Sequence, residues 1–117
     1  MPIQMKWTFI VNICLFCNLS GSPEIEFFEK KIRPILVDEC YQCHSQENKI
    51  KGNLRLDWKG GWLSGGDSGQ AIIPGQLGKS LLIQAIRHGN DELKMPPKKK
   101  LTPQQIEDLE KWVVMGA

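Results

Sequence analysis

Two cysteines and a histidine form the most chemically specific pattern in the chain, Cys40-Tyr41-Gln42-Cys43-His44. A Cys-x-x-Cys-His run is typical of c-type haem attachment. The two thiols add to vinyl groups on one side of a porphyrin, so both must project from one tight turn. The imidazole that follows supplies a nitrogen to the iron. We therefore interpret Cys40 and Cys43 as the thioether sites of one covalent haem c, and His44 as its proximal iron ligand.

Cys-x-x-Cys alone also fits a thioredoxin-like redox dithiol, half of a zinc site or a plain disulfide. A thioredoxin-like site requires a strand before the motif and a long helix after it, whereas here a helical pattern precedes and a polar, glycine-rich segment follows. Zinc needs four ligands, and the remaining candidates are His88 and the N-terminal cysteines Cys14 and Cys17. These alternatives stay open, with haem attachment favoured.

A six-coordinate haem needs a second ligand opposite His44, and a methionine sulfur is a common choice that raises the reduction potential. Met95 is followed by two prolines that stiffen its loop, in Leu93-Lys94-Met95-Pro96-Pro97. The alternatives are His88, Met115 or an open position. We expect His88 to cap carbonyl groups or face solvent, and Met115 to pack or fray at a helix end. Met95 is thus the predicted distal ligand, and replacing it should lower the potential and admit carbon monoxide, whereas replacing His88 or Met115 should change neither.

The residues before the motif predict a helix that leads into it. Ser22-Pro23-Glu24 combines a capping side chain, a proline suited to the first turn and a favourable acid. Apolar residues then recur at three- and four-residue spacing, namely Ile25, Phe28, Ile32, Ile35 and Leu36. Since Pro34 interrupts this pattern, we expect a helix to about Arg33 and a new turn to Cys40.

Residues 45–79 contain eight of the eleven glycines and predict a long loop. Within it, Leu54-Arg55-Leu56 alternates like a very short strand. A loop of this length inside a small domain is usually functional or disordered, and wrapping the edge of a porphyrin would give it order. Trp58 and Trp62 are expected to cover the haem or the core.

Two further helices are predicted on either side of Met95. The first follows a Ser80 cap, and Gly89 is suited to end it in a left-handed conformation. The second begins with the capping box Thr102-Pro103-Gln104-Gln105 and stops at Gly116. The expected buried faces consist of Leu81, Leu82, Ala85 and Ile86 in the first helix and of Ile106, Leu109, Trp112 and Val113 in the second.

The N-terminus has the layout of a secretory signal, with Lys6 before a mostly apolar run and small polar residues up to Ser22. The apolar run, of about 13 residues, is shorter than the ~20 that span a bilayer. We therefore predict a signal peptide over residues 1–22, export to the periplasm, a haem domain over residues 23–117 and no stable membrane insertion after cleavage. Cys14 and Cys17 are interpreted as apolar signal residues because Asn18 stands where haem attachment needs a histidine.

Composition agrees with one small globular domain, which we expect to be monomeric. The chain has 117 residues, of which 41% are hydrophobic and 24% charged. A covalent porphyrin can supply core that so short a chain lacks. A formal charge of +2 argues against nucleic acid as a partner.

Several motifs in order resemble the planctomycete-type cytochrome c domain. Besides the haem motif they are Phe27-Phe28-Glu29, Arg33-Pro34-Ile35-Leu36, Lys51-Gly52-x-Leu54-Arg55-Leu56-Asp57, Gly65-Gly66-x-Ser68-Gly69, Pro74-Gly75, Ser80-Leu81-Leu82, Ala85-Ile86-Arg87-His88, Lys94-Met95-Pro96-Pro97 and Trp112-Val113-x-x-Gly116-Ala117. The resemblance implies a mostly α, cytochrome c-like fold around one haem, with Cys40 and Cys43 as thioether sites, His44 proximal and Met95 distal. Gln70 and Leu77 depart from it, since many relatives have proline there. Such domains usually open a longer protein, so this chain is either a free-standing carrier or the N-terminal haem module of a larger one.

We expect an electron carrier rather than an enzyme, because no acid, base or nucleophile constellation accompanies the haem motif. Its partner would be another redox protein, to which Lys98-Lys99-Lys100 could present a positive rim. The competing function is a sensor or catalyst in which the sixth position opens to oxygen, nitric oxide or peroxide.

Overall fold

Helices dominate residues 21–117, the part of the chain that the computed structural model describes. The α-helices are α1 (Pro23–Phe27), α2 (Arg33–Glu39), α3 (Lys59–Ser64), α4 (Leu81–Ile86) and α5 (Pro103–Val114), with a π-helical segment over Phe28–Ile32 and short 3₁₀ turns over Lys51–Asn53 and Leu77–Lys79. These residues contain no β-strand. Their β-bridges are isolated pairs, His44 with Ile50 and Gly66 with Gly69. The mostly α prediction is therefore confirmed for the described residues.

The helical segments before the haem motif follow the predicted pattern from Phe28 onward, whereas Ile25, predicted on the apolar face, is 58% exposed. The Ser22 hydroxyl accepts a hydrogen bond from the Ile25 amide at 3.2 Å, so the predicted cap is present. Pro34 has no N–H to donate, and its ring would clash with a carbonyl in a regular helix. The π-helical segment precedes it, and the Arg33 amide bonds back to the Phe28 carbonyl. The new helical turn expected after Pro34 is α2, which ends at Glu39, directly before Cys40.

The core lies between the N-terminal helical segments, α4 and α5. Its fully buried side chains include Ile32, Leu36, Ile72, Ile83, Ile86, Leu109 and Val113. An aromatic cluster closes one end, where Trp62 lies edge-on to Trp112 at 5.0 Å between ring centroids and Phe28 contacts both rings. Trp62 is therefore a core residue. Trp58, in contrast, is 55% exposed.

The segment predicted as a long loop is more ordered than expected, because α3 and both 3₁₀ turns lie within it. The strand predicted at Leu54-Arg55-Leu56 is wrong. The backbone groups of this stretch pair with His44 instead, since the Leu56 amide donates to the His44 carbonyl at 2.8 Å. Gly66 brings the segment close to the 3₁₀ turn, because a β-carbon there would lie 2.3 Å from the Gly52 carbonyl oxygen.

The predicted ends of α4 need two corrections. Ser80 precedes α4, but its side chain does not cap the helix. The hydroxyl is fully buried and binds the backbone of Ile73 and Gln76, which holds the preceding loop. At the other end His88, not Gly89, adopts the left-handed conformation, with φ of 57°.

The last helix matches the sequence prediction closely. Thr102 and Gln105 form the reciprocal capping box at the start of α5. Gly116 has φ of 107° just after it, a conformation that favours glycine. Both signals depend on neighbouring residues alone, so the bounds of α5 could be read locally.

The predicted signal peptide lies almost wholly outside the described residues, and so do Cys14 and Cys17. Among residues 21–117, no helix is both long and apolar enough to cross a membrane.

Candidate haem-binding site

The haem motif forms a tight turn at the end of α2. The amides of Cys43 and His44 both donate to the Cys40 carbonyl, at 3.2 and 3.0 Å. The Cys40 amide in turn donates to the Leu36 carbonyl, so the turn continues directly from the helix. This local geometry is the one that the motif predicts. Cys40 and Cys43 are free thiols in this structure, and both are half-buried.

His44 is oriented by the backbone of the following loop. Its Nδ1 lies 3.1 Å from the Leu54 carbonyl oxygen. Because a carbonyl can only accept, Nδ1 must carry the proton in this contact. That tautomer leaves the lone pair of Nε2 free to bind a metal. Histidines that bind a metal through one ring nitrogen are usually oriented by a hydrogen bond from the other, as Nδ1 makes here.

A cleft beside the motif brings three of the four predicted site residues together. Cys40, His44 and Met95 line one cavity that encloses about 870 Å³ of space, open mouth included. Cys43 is not part of the lining. The apolar walls come from Leu54, Leu56, Ala71, Leu81, Leu82, Ala85, Ile86 and Leu93.

The glycine-rich segment forms a large part of this cleft. Its contributing residues are Lys51, Gly52, Leu54, Leu56, Gly66, Asp67, Ser68, Gly69 and Ala71. The Asp67 amide donates to the Gly52 carbonyl at 2.8 Å, which ties the two halves of the segment together. The segment that sequence analysis expected beside a porphyrin therefore does line the cleft.

Met95 lies on a strap, residues 93–99, that runs from the end of α4 toward α5. The Met95 amide donates to the Ala85 carbonyl at 3.0 Å. Further along the strap, Lys99 Nζ lies 2.8 Å from Glu39 Oε1, and Glu39 borders the cleft next to Cys40. The strap is thus attached to α4 at one end and to α2 at the other.

The two rival ligands occupy other places. His88 is not part of the cleft lining, and its Nε2 lies 3.2 Å from the Met95 carbonyl oxygen. Met115 borders a separate cavity with Phe28, Trp62 and Trp112. Of these three candidates, only Met95 shares a cavity with His44.

Burial changes the acidity of the first cysteine. It raises the pKa of the Cys40 thiol to about 12, and the neighbouring Glu39 carboxylate and Cys43 add smaller effects in the same direction. Redox dithiols of the thioredoxin type need a lowered thiol pKa. The environment of Cys40 therefore disfavours that alternative. No cluster of three or more His, Cys, Asp or Glu side chains suited to a metal ion occurs in residues 21–117.

Asp57 connects the residues after the motif to the loop that orients His44. Its carboxylate accepts from the Gln46 amide at 3.0 Å and from the Arg55 guanidinium at 3.0 Å. The hydrogen bond from Arg55 is the main reason that the pKa of Asp57 lies below its ordinary value. Since Arg55 directly follows Leu54, this ion pair steadies the backbone that His44 contacts.

The donors in the cleft fit haem c. They include a thiol at the end of a helix, an imidazole with one nitrogen held by a carbonyl, and a thioether on an anchored strap, all within an apolar cavity. Sequence reasoning missed two contacts that complete this arrangement, the Leu54 carbonyl and the Glu39–Lys99 pair. Neither contact has a local signal in the sequence. The Leu54 carbonyl is a backbone group, which residue types do not reveal, and Glu39 and Lys99 are 60 residues apart in the chain.

These features are those of a c-type cytochrome domain. The sequence model of the family described as "Planctomycete cytochrome C" matches residues 40–99, a stretch that includes the haem motif and Met95. The chain belongs to this family, and the family implies haem c and the class of electron carriers rather than enzymes. No curated protein and no solved structure gives a significant match to the chain.

Proposed function

We propose that the protein is a monohaem cytochrome c that transfers single electrons to and from other redox proteins. In this proposal Cys40 and Cys43 form thioether bonds to the haem, His44 is the proximal iron ligand and Met95 is the distal ligand. The observation that carries it is the shared cleft, since Cys40, His44 and Met95 line the same cavity although Met95 is distant in sequence.

When bound, haem c supplies an iron that alternates between ferric and ferrous states and so takes up or releases one electron. The residues of the chain keep the two ligands in place between those states. The Leu54 carbonyl holds His44, and the Ala85 carbonyl holds the backbone of Met95. A site that moves little when its charge changes is suited to electron transfer. The apolar walls also lower the polarity around the ligands, which strengthens electrostatic interactions beside them.

A sensor or catalyst is the second candidate function, and one observation favours it. Met95 is 38% exposed, so a small molecule could displace its sulfur from the open side. The two functions differ in how firmly Met95 binds. A firmly bound thioether blocks carbon monoxide, whereas a labile one admits it.

The test is an absorption spectrum of the protein exported together with haem-attachment machinery. Spectra of the oxidised, reduced and carbon monoxide-treated protein are compared, and denaturing extraction shows whether the haem stays attached. Covalent haem, a low-spin reduced spectrum, a thioether-to-ferric band and no response to carbon monoxide support the electron carrier. Ready carbon monoxide binding supports the sensor or catalyst. Folded protein without covalent haem would refute both.

Export to the periplasm with cleavage near Ser22 is part of the same proposal, since c-type haem is attached after the apoprotein has crossed the inner membrane. The mass of the exported holoprotein tests it. Removal of residues 1–22 would take away Lys6, so 14 of the 15 basic residues would remain beside all 13 acidic ones. A full-length mass in a membrane fraction would instead indicate a retained anchor, and sedimentation of the same sample tests the expected monomer.

A further inference from the structure

His88 holds an unusual backbone conformation at the end of α4. Its φ of 57° lies in the left-handed region, which few residues with a side chain adopt. Gly89, the next residue, would adopt this conformation without cost, yet it does not take that place. Strained residues of this kind persist where the surrounding structure determines them, and they are frequent at functional sites.

The side chain of His88 contacts the strap that carries Met95. Its Nε2 lies 3.2 Å from the Met95 carbonyl oxygen, so Nε2 carries the proton and donates it. The Met95 amide donates to the Ala85 carbonyl at 3.0 Å, and the His88 amide donates to the same carbonyl at 3.2 Å. Both polar backbone groups of Met95 are therefore bonded to the end of α4.

These contacts restrict Met95 at its backbone and leave its side chain free to reach into the cleft. A residue with both backbone groups bonded has fewer accessible positions for its Cα atom. The side chain of Met95 needs that restriction, because Met95 itself is 38% exposed and has little packing on its outer side. The following residue, Pro96, is buried.

We propose that His88 is a positioning residue that holds Met95 in place through its carbonyl group without touching the iron. This inference rests on the proposed function, in which Met95 is the distal ligand. It also revises the expectation from sequence that removing His88 has no effect. A single hydrogen bond of this kind changes the ratio of bound to displaced methionine by roughly two- to tenfold.

The test uses the full-length holoprotein with three substitutions of His88. His88→Gly suits the left-handed backbone but lacks the donor. His88→Gln keeps an N–H at similar reach, and His88→Leu has similar bulk without a donor. Gln and Leu share the same backbone cost, so the difference between them isolates the hydrogen bond. The thioether-to-ferric band, the reduction potential and the carbon monoxide affinity of the reduced protein are measured, with thermal unfolding as the check on folding.

We expect His88→Gly and His88→Leu to weaken the thioether band and lower the reduction potential. In both variants the carbon monoxide affinity should rise by roughly two- to tenfold. His88→Gln should lie closer to wild type in all three readings. If His88 served only to end α4, His88→Gly would match wild type in all three readings, which would overturn the proposal. Equal behaviour of Gln and Leu would overturn it as well.

Met95→Ala, measured in parallel, separates this inference from the proposed function. If Met95→Ala loses the band and His88→Gly keeps it, the role of His88 is wrong and the ligand assignment stands. If Met95→Ala keeps the band, the ligand assignment fails and the role of His88 fails with it.

Discussion

Lys99 Nζ lies 2.8 Å from Oε1 of Glu39, and this ion pair joins the strap that follows Met95 to the last residue of α2. Glu39 is only 13% exposed at its side chain, whereas Lys99 is 62% exposed. Glu39 precedes Cys40, so the pair links the two chain segments that border the cleft. It therefore restricts the strap at Lys99, beyond the point where the Met95 amide bonds to α4.

We predict that Glu39→Gln lowers the free energy of unfolding by about 0.5–1 kcal/mol, a modest value because Lys99 is exposed to solvent. High salt should reduce the difference, since it screens the wild-type pair. Denaturant unfolding at low and high salt measures both effects. Lys98→Gln is the matched control, because Lys98 forms no ion pair among the described residues. An equal loss in both variants would contradict the role of the pair.

Met95 and Met115 form a natural pair for testing the distal ligand, because they are 38% and 36% exposed. We predict that Met95→Ala abolishes the thioether-to-ferric band, admits carbon monoxide and lowers the potential by on the order of a hundred millivolts, part of the ~0.8 V range that axial ligands span. Met115→Ala should leave all three unchanged, since Met115 borders the other cavity. Loss of the band in Met115→Ala alone would overturn the assignment.

The lysines after the strap divide into two groups. Lys99 is paired with Glu39, whereas Lys98 and Lys100 form no ion pair in residues 21–117. We predict that Lys98→Gln with Lys100→Gln slows electron transfer with an acidic redox partner several-fold at low salt and flattens its salt dependence. Stopped-flow rates over a salt series test this. Lys79→Gln with Lys59→Gln removes the same charge elsewhere, and an equal effect there would show that net charge alone is responsible.

Asp57 makes the stability of the His44 loop depend on pH. Its pKa is lowered in the folded protein by the Arg55 hydrogen bond, so its contribution is present above the unfolded pKa of about 3.9 and is lost as pH falls below it. We predict that Asp57→Asn costs about 1 kcal/mol at neutral pH and that the difference from wild type shrinks below about pH 4. Urea unfolding across pH measures it. Asp38→Asn, at an exposed position without an ion pair among the described residues, is the matched control, and an equal cost at neutral pH in both variants would contradict the role of the Arg55–Asp57 pair.

Sequence reasoning succeeded where the chemistry is local. The turn from Cys40 to His44 follows from the spacing of the motif, and the capping box of α5 follows from Thr102 and Gln105. The cleft position of Met95 was also predictable, because two prolines mark a stiff segment between two predicted helices. In each case the residues that define the feature are close neighbours in the chain.

Sequence reasoning failed where contacts with distant residues or with backbone groups determine the local conformation. The Leu54 stretch alternates like a strand, but the Leu54 carbonyl and the Leu56 amide bond to His44, which the pattern does not reveal. Ser80 has the residue type of a cap, yet burial gives its hydroxyl three backbone contacts in the preceding loop. Gly89 permits a left-handed conformation without requiring it, and His88, whose Nε2 contacts the Met95 carbonyl, adopts that conformation instead.

The raised pKa of Cys40 predicts how its thiol reacts in the haem-free chain. Burial raises that pKa to about 12, so the reactive thiolate is scarce at pH 8. In urea the pKa returns to about 8.5. We therefore predict that alkylation of Cys40 in the folded haem-free chain is slower by on the order of a thousandfold than in urea. The same shift makes folding less favourable as pH rises above about 9. In that range the Cys40 thiol loses its proton in the unfolded chain but keeps it in the folded chain.

Timed alkylation at pH 8, read by peptide mass spectrometry, distinguishes Cys40 from the other cysteines without any substitution. The same peptides in urea provide the control for intrinsic reactivity. A slow folded rate that rises steadily with pH up to about 9, where the chain stays folded, would agree with the raised pKa of the thiol, and it would favour thioether formation before closure of the fold around Cys40. Equal rates in buffer and in urea, in a sample that circular dichroism shows to be folded, would contradict both the burial of Cys40 and that order of events.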